Sequence, residues 1–137
     1  MTETSLALQT AIRSRLITHA ALTTLVPVEH IFDRNKRPEA WPCIIIGDGQ
    51  TVFADDYDDF YDRAYSDLQV WTQGPGLESA KAITGKVRAA LPIGAWEVAG
   101  FKVPHVKITN ARFFRDPSNE FSRAVLTVEA IMQRGAA

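Results

Sequence analysis

Phe121-Ser122-Arg123-Ala124-Val125-Leu126-Thr127-Val128-Glu129-Ala130-Ile131-Met132 is the stretch that decides the fold. In an extended chain Ala124, Leu126, Val128, Ala130 and Met132 share one side, while Arg123, Thr127 and Glu129 share the other. That alternation belongs to a strand with one face turned into a core. Asp116, Pro117, Ser118 and Asn119 just before it are turn formers, and they join it to another long strand over residues 106–115.

Working back along the chain, residues 64–72 alternate Tyr65, Asp67, Gln69 and Trp71 with Ser66, Leu68, Val70 and Thr72, the pattern of a central strand. Cys43 to Ile46 is a continuous apolar run of the kind buried on both faces. Residues 50–53 extend it past Gly47 and Gly49, where a bulge or bend is expected. Residues 96–98 and 101–103, separated by Ala99 and Gly100, read as a small hairpin, and residues 28–32 as a short edge strand. Two segments carry helical spacing. Leu8, Ile12 and Leu16 mark a helix over residues 5–17, with Thr4 or Ser5 available to cap it. Leu77, Ala80, Ile83, Thr84 and Val87 mark a second helix to about residue 91, stopped by Pro92 and Gly94. Residues 20–25 allow only one or two turns before Pro27. The expected fold is α+β, a mixed or antiparallel sheet of about four to six strands covered on one face by two helices. Residues 1–137 are expected to form one domain.

Composition bounds the function. A chain of 137 residues that is 46% apolar can bury a core without metal or disulfide staples, and its one cysteine, Cys43, has no internal partner. The longest apolar run is far below the roughly 20 residues that a membrane span requires, and residues 1–11 lack the features of a signal peptide. A soluble protein made in the cytoplasm is therefore expected. Fifteen basic against sixteen acidic side chains, for a net charge of −1, argue against a generic duplex binder. The charge is clustered, however. Asp55, Asp56, Asp58, Asp59 and Asp62 follow closely on one another, preceded by Arg34, Lys36 and Arg37.

Catalytic signals are missing. His19, His30 and His105 lie in separate segments without zinc-ligand spacing, and Cys43 sits in an apolar strand rather than the electropositive setting of a nucleophile. Gly47 and Gly49 open no phosphate loop. The aspartate cluster lacks the central glycine and closing glutamate of a calcium loop. A solvated loop is the plain reading of that cluster, yet Phe53, Tyr57, Phe60 and Tyr61 accompany it, and aromatics among acids suit a surface that docks on something. No catalytic residue, cofactor or metal site is expected.

Leu8-Gln9-Thr10-Ala11-Ile12, then His30-Ile31-Phe32-Asp33, then Trp41-Pro42-Cys43-Ile44-Ile45-Ile46-Gly47 form an ordered set of short strings. Leu68-Gln69-Val70-Trp71-Thr72, the helix over residues 80–91 and Ala111-Arg112-Phe113-Phe114-Arg115-Asp116-Pro117 continue it. Over roughly residues 6–132 the chain resembles the tail-terminator or tail-completion proteins of long-tailed phages and gene transfer agents. The resemblance implies a non-enzymatic subunit of a homohexameric ring that caps the tail tube and joins it to a head-side connector, with DNA passing through. Its implied partners are copies of itself, the tail tube protein and the connector, without membrane. Its implied places are the bacterial cytoplasm during assembly and the tail-neck junction of the particle.

Under that resemblance the acidic loop lines the channel or pairs with Arg34, Lys36 and Arg37 of a neighbouring subunit, the second being preferred because the aromatics need burial. Candidate interface residues are Arg34, Lys36, Arg37 and Trp41 in the loop over residues 34–42. Phe53, Asp55, Asp56, Asp58, Asp59, Phe60 and Asp62 supply others in the loop over residues 49–65, and Phe114 and Arg115 stand at a strand end. Adjacent strand positions face opposite ways, so at most one of Phe113 and Phe114 belongs to the core face. Competing readings are a stopper or adaptor of the neck, a metal-dependent hydrolase using residues 55–62, and a monomeric ligand-binding domain.

Overall fold

The computed structural model describes residues 2–33, 40–54, 61–74, 76–118 and 120–134. The chain runs through α1 (Thr4–Ile17), α2 (Ala20–Thr23), a single 3-10 turn (Val28–His30), β1 (Ile31–Phe32), β2 (Cys43–Val52), β3 (Asp62–Gln73), α3 (Glu78–Ala90), β4 (Gly94–Val98), β5 (Phe101–Arg115) and β6 (Phe121–Arg134). The fold is α+β, with three helices and one six-stranded sheet of order β1-β2-β3-β6-β5-β4. It is mixed, because β1 pairs parallel to β2 while the other pairs are antiparallel.

The alternation of the last strand survives intact. Ala124, Leu126, Val128, Ala130 and Met132 are buried, and β3 presents Ala64, Ser66, Leu68, Val70 and Thr72 to the same side, with Leu68 opposite Leu126 and Val70 opposite Ala124. Leu8, Ile12 and Leu16 of α1 and Ala80, Ile83 and Val87 of α3 join these rows in one core cluster. Burying each large aliphatic side chain is worth about 1.5–3 kcal/mol, so these stripes rather than helix propensity hold the helices down. Hydroxyls at the edge of the core are hydrogen-bonded to backbone carbonyls. Thr84 Oγ1 donates to Ala80 O at 2.8 Å, and Ser122 Oγ to Gly74 O at 2.8 Å.

Several expectations are corrected. The cap of α1 is neither Thr4 nor Ser5: the Glu3 carboxylate accepts from Ser5 N at 3.0 Å and Leu6 N at 3.1 Å, while Thr4 is buried. Residues 28–32 divide into the 3-10 turn and a strand of two residues, because Pro27 opens a turn closed by His30 N on Pro27 O. The hairpin strand and the long strand before the last turn are one element, β5, which passes through Pro104 by a register shift between Lys102 and His105. A bulge removes the need for a ladder donor where proline has none.

A second register shift in β5, between Ile108 and Asn110, sets Ala111 opposite Leu126 and Phe113 opposite Ala124. Directly opposed residues share a face, so this shift returns Ala111 and Phe113 to the core side. The expected irregularity at the glycines of β2 is also present, between Ile46 and Gly49. A Cβ at Gly49 would stand 3.2 Å from Tyr65 O, a tighter approach than most side chains make, so glycine suits the close pairing of β2 and β3 there. The expected loop over residues 49–65 is correspondingly shorter, since residues 49–52 belong to β2 and residues 62–65 to β3.

Candidate functional site

The row opposite the core side of the three central strands carries the concentrated chemistry. Arg123 of β6 stands in register with Trp71 of β3 on one side and Phe114 of β5 on the other. Its guanidinium carbon lies 5.4 Å from the Trp71 ring centroid and 5.1 Å from that of Phe114. Arg112, two residues before Phe114 and so on the same face, adds a second guanidinium 4.9 Å from the Phe114 centroid. Gln69 Oε1 accepts the Trp71 Nε1–H at 3.0 Å, fixing the indole. A cleft of about 350 Å³ opens here, with Arg115 and Asp116 in its wall beside Trp71, Phe114 and Arg123. An arginine over an aromatic ring is attracted to its face and keeps N–H groups that can donate to a planar anion. The cluster is therefore suited to carboxylate or phosphate oxygens.

Phe113 turns the other way, packing on the core with Lys81 Nζ 5.4 Å above its ring. The expected division between the two phenylalanines is thus observed, and Phe114 is the outward one. Further along the same outward face charges of both signs stand together, with Lys107 in register with Glu129. Thr127 Oγ1 donates to Asp67 Oδ1 at 3.0 Å, and Arg63 pairs with Glu129 at 3.0 Å.

A family model for tail completion protein gp17 matches residues 10–133. The chain belongs to that family. Among solved structures, this chain is similar to one from the virion of a native gene transfer agent particle, with 23% identity, a TM-score of 0.78, and coverage of 93% of this chain and 95% of the other. A second solved chain, 13% identical with a TM-score of 0.63, covers 99% of this chain and 100% of its own. No curated protein sequence matches it significantly.

The remaining sequence candidates are scattered. Trp41 stacks on Phe121, ring centroids 4.9 Å apart at 18°, beside a cleft of about 370 Å³ that Leu25, Thr72 and Ile83 help to line. His30 Nδ1 donates to Pro42 O at 2.9 Å behind it. Phe53 is 71% exposed past the end of β2, and Asp62 Oδ1 accepts from Ala54 N at 3.0 Å, closing the start of β3. Arg34, Lys36, Arg37, Asp55, Asp56, Asp58, Asp59 and Phe60 lie outside the described residues.

The structure brings Phe114 and Arg115 together with Trp71, Arg112 and Arg123, three residues that sequence reasoning did not single out. Their signal was available as alternate positions in three strands, but the register that unites them was not. Among the described residues no group of histidine, cysteine and carboxylate side chains is gathered to hold a metal ion, and no helix is long and apolar enough to cross a membrane.

Proposed function

We propose that this chain, acting as one unit over residues 1–137, is a structural subunit of a ring, a homohexamer, that caps the tail tube of a phage or gene-transfer-agent particle. The ring joins the tube to the head-side connector, and DNA crosses it through the central channel without being chemically altered. The family match over residues 10–133 carries this reading. Subunits are made and assembled in the bacterial cytoplasm and end at the tail-neck junction.

In this ring the helices stand on one face of the sheet and leave the outward face for contacts. Arg34, Lys36, Arg37, Trp41, Phe53, Asp55, Asp56, Asp58, Asp59, Phe60, Asp62, Phe114 and Arg115 contribute to contacts with neighbouring subunits, tube or connector. Phe53, largely exposed beside the acidic stretch, is accessible for such a contact.

Light scattering on the purified chain, at two concentrations and two salt levels and then with tail tube protein added, tests the proposal. A mass of about six chains, alone or on the tube protein, is expected. A monomer under all these conditions rejects the ring.

A further inference from the structure

We infer that the cationic-aromatic row of Trp71, Arg112, Phe114 and Arg123 on one subunit is the receptor for the acidic-aromatic segment, residues 55–60, of the next copy. The inference deepens the ring reading and rests on it.

Charge and chemistry match in both directions. Asp55-Asp56-Tyr57-Asp58-Asp59-Phe60 offers four carboxylates and two aromatic rings. Arg112 and Arg123 have no carboxylate within ion-pair distance among the described residues, where the one ion pair is Arg63–Glu129. Both guanidiniums lie over aromatic rings and carry N–H groups able to bind carboxylates, while Trp71 and Phe114 provide area for Tyr57 and Phe60. The overall charge of −1 disfavours a duplex as the occupant, since an extended polyanion needs a broad basic surface, whereas a short acidic peptide needs only this row.

Distance makes the contact intermolecular. Asp62 begins β3 and Trp71 stands near its other end, so at strand rise they are roughly 25–30 Å apart. Seven residues separate Ala54, whose N is bonded to the Asp62 side chain, from Asp62, so even fully extended their backbone reaches at most about 14 Å from that base. That backbone stops well short of Trp71 in its own chain. One end of each subunit then meets the opposite end of the next, the heterologous contact that closes rings.

The test uses two charge reversals of the full chain. One carries Arg112→Glu and Arg123→Glu, the other Asp55→Lys, Asp56→Lys, Asp58→Lys and Asp59→Lys. Circular dichroism checks that both fold, and light scattering with and without tube protein reads assembly. Each variant alone should assemble at least tenfold more weakly than the parent. An equimolar mixture should recover the ring, because every junction again pairs opposite charges, and so should a chain carrying both reversals.

A parent ring indifferent to the reversals overturns this contact and leaves the ring reading standing. Reversals that break the ring without rescue by mixing also overturn it. So does a receptor reversal that removes binding of a labelled duplex oligonucleotide but leaves the mass unchanged. A parent chain that is monomeric throughout removes the ring and this contact together.

Discussion

The Glu3 carboxylate at the start of α1 accepts a hydrogen bond from Thr51 Oγ1 of β2 at 2.8 Å, so one side chain both caps the helix and ties it to the sheet. The Ser5 hydroxyl is the largest influence on its ionisation; burial opposes it, and the Ser5 amide, Thr51 hydroxyl and Leu6 amide add to it. Together they hold the carboxyl down from 4.5 to about 2. A lowered folded value means stability that is present above about 4.5 and lost as pH falls toward about 2. Glu3→Gln should therefore cost about 1 kcal/mol at neutral pH. Urea unfolding at a series of pH values should show the gap between parent and variant closing as pH drops through that window, and a gap independent of pH would remove the cap from the account.

Leu126 lies opposite both Leu68 and Ala111, at the centre of the core side. Leu126→Ala should cost about 2–5 kcal/mol, the range for a cavity that its neighbours cannot fill. Val125→Ala, one position along and facing outward, should cost about 1 kcal/mol or less. Denaturant midpoints of the two variants check the sidedness of β6 directly, and equal losses would contradict the register.

The parts of this fold legible in the sequence are those where one residue type repeats at a fixed interval. Ala124 to Met132 announces its strand, Leu8 to Leu16 its helix, and the isoleucines of β2 a strand buried on both sides, all of which the structure has. Breaks in the interval were harder to read. Residues 101–103 and 106–115 read as separate strands, where a bulge carries β5 through Pro104 as one element, while Ala99-Gly100 is the turn of the expected hairpin. Glu3 caps α1 in place of Thr4 or Ser5 because its longer side chain reaches the first free amides of the helix. At the candidate site, Phe114 and Arg115 were visible as an odd pair at a strand end. Trp71 and Arg123 were not, because their meeting depends on pairings between distant segments that composition does not encode.

Two glycines give opposite expectations. Gly85 lies inside α3 with open space where a Cβ would go, so Gly85→Ala should stabilise by about 0.5–1 kcal/mol through helix propensity and a less disordered unfolded chain. Gly100, at φ 83° in the turn between β4 and β5, also has space but not the backbone conformation for a side chain. Gly100→Ala should destabilise by about 1 kcal/mol. Thermal unfolding of the pair separates room from dihedral preference, and a loss at Gly85 would mean that its exposed face is covered in solution.

Trp41 joins two observations that pull apart. Its ring stacks on Phe121, which favours retaining it, yet its Nε1 is buried without a hydrogen-bond partner among the described residues. An unsatisfied buried donor costs about 1–3 kcal/mol, comparable to what the larger ring contributes over a smaller one. Trp41→Phe keeps a stack and deletes the donor, so its stability should stay within about 1 kcal/mol of the parent. Trp41→Ala removes the stack as well and should cost about 2–4 kcal/mol. Because Trp41 is also a proposed interface residue, the ring mass of Trp41→Phe is the informative second reading. Unchanged unfolding with weakened assembly assigns the indole N–H to a partner's acceptor. A loss of stability as large as that of Trp41→Ala means instead that the N–H is bonded within the folded chain, and that Trp41 serves the fold before it serves the ring.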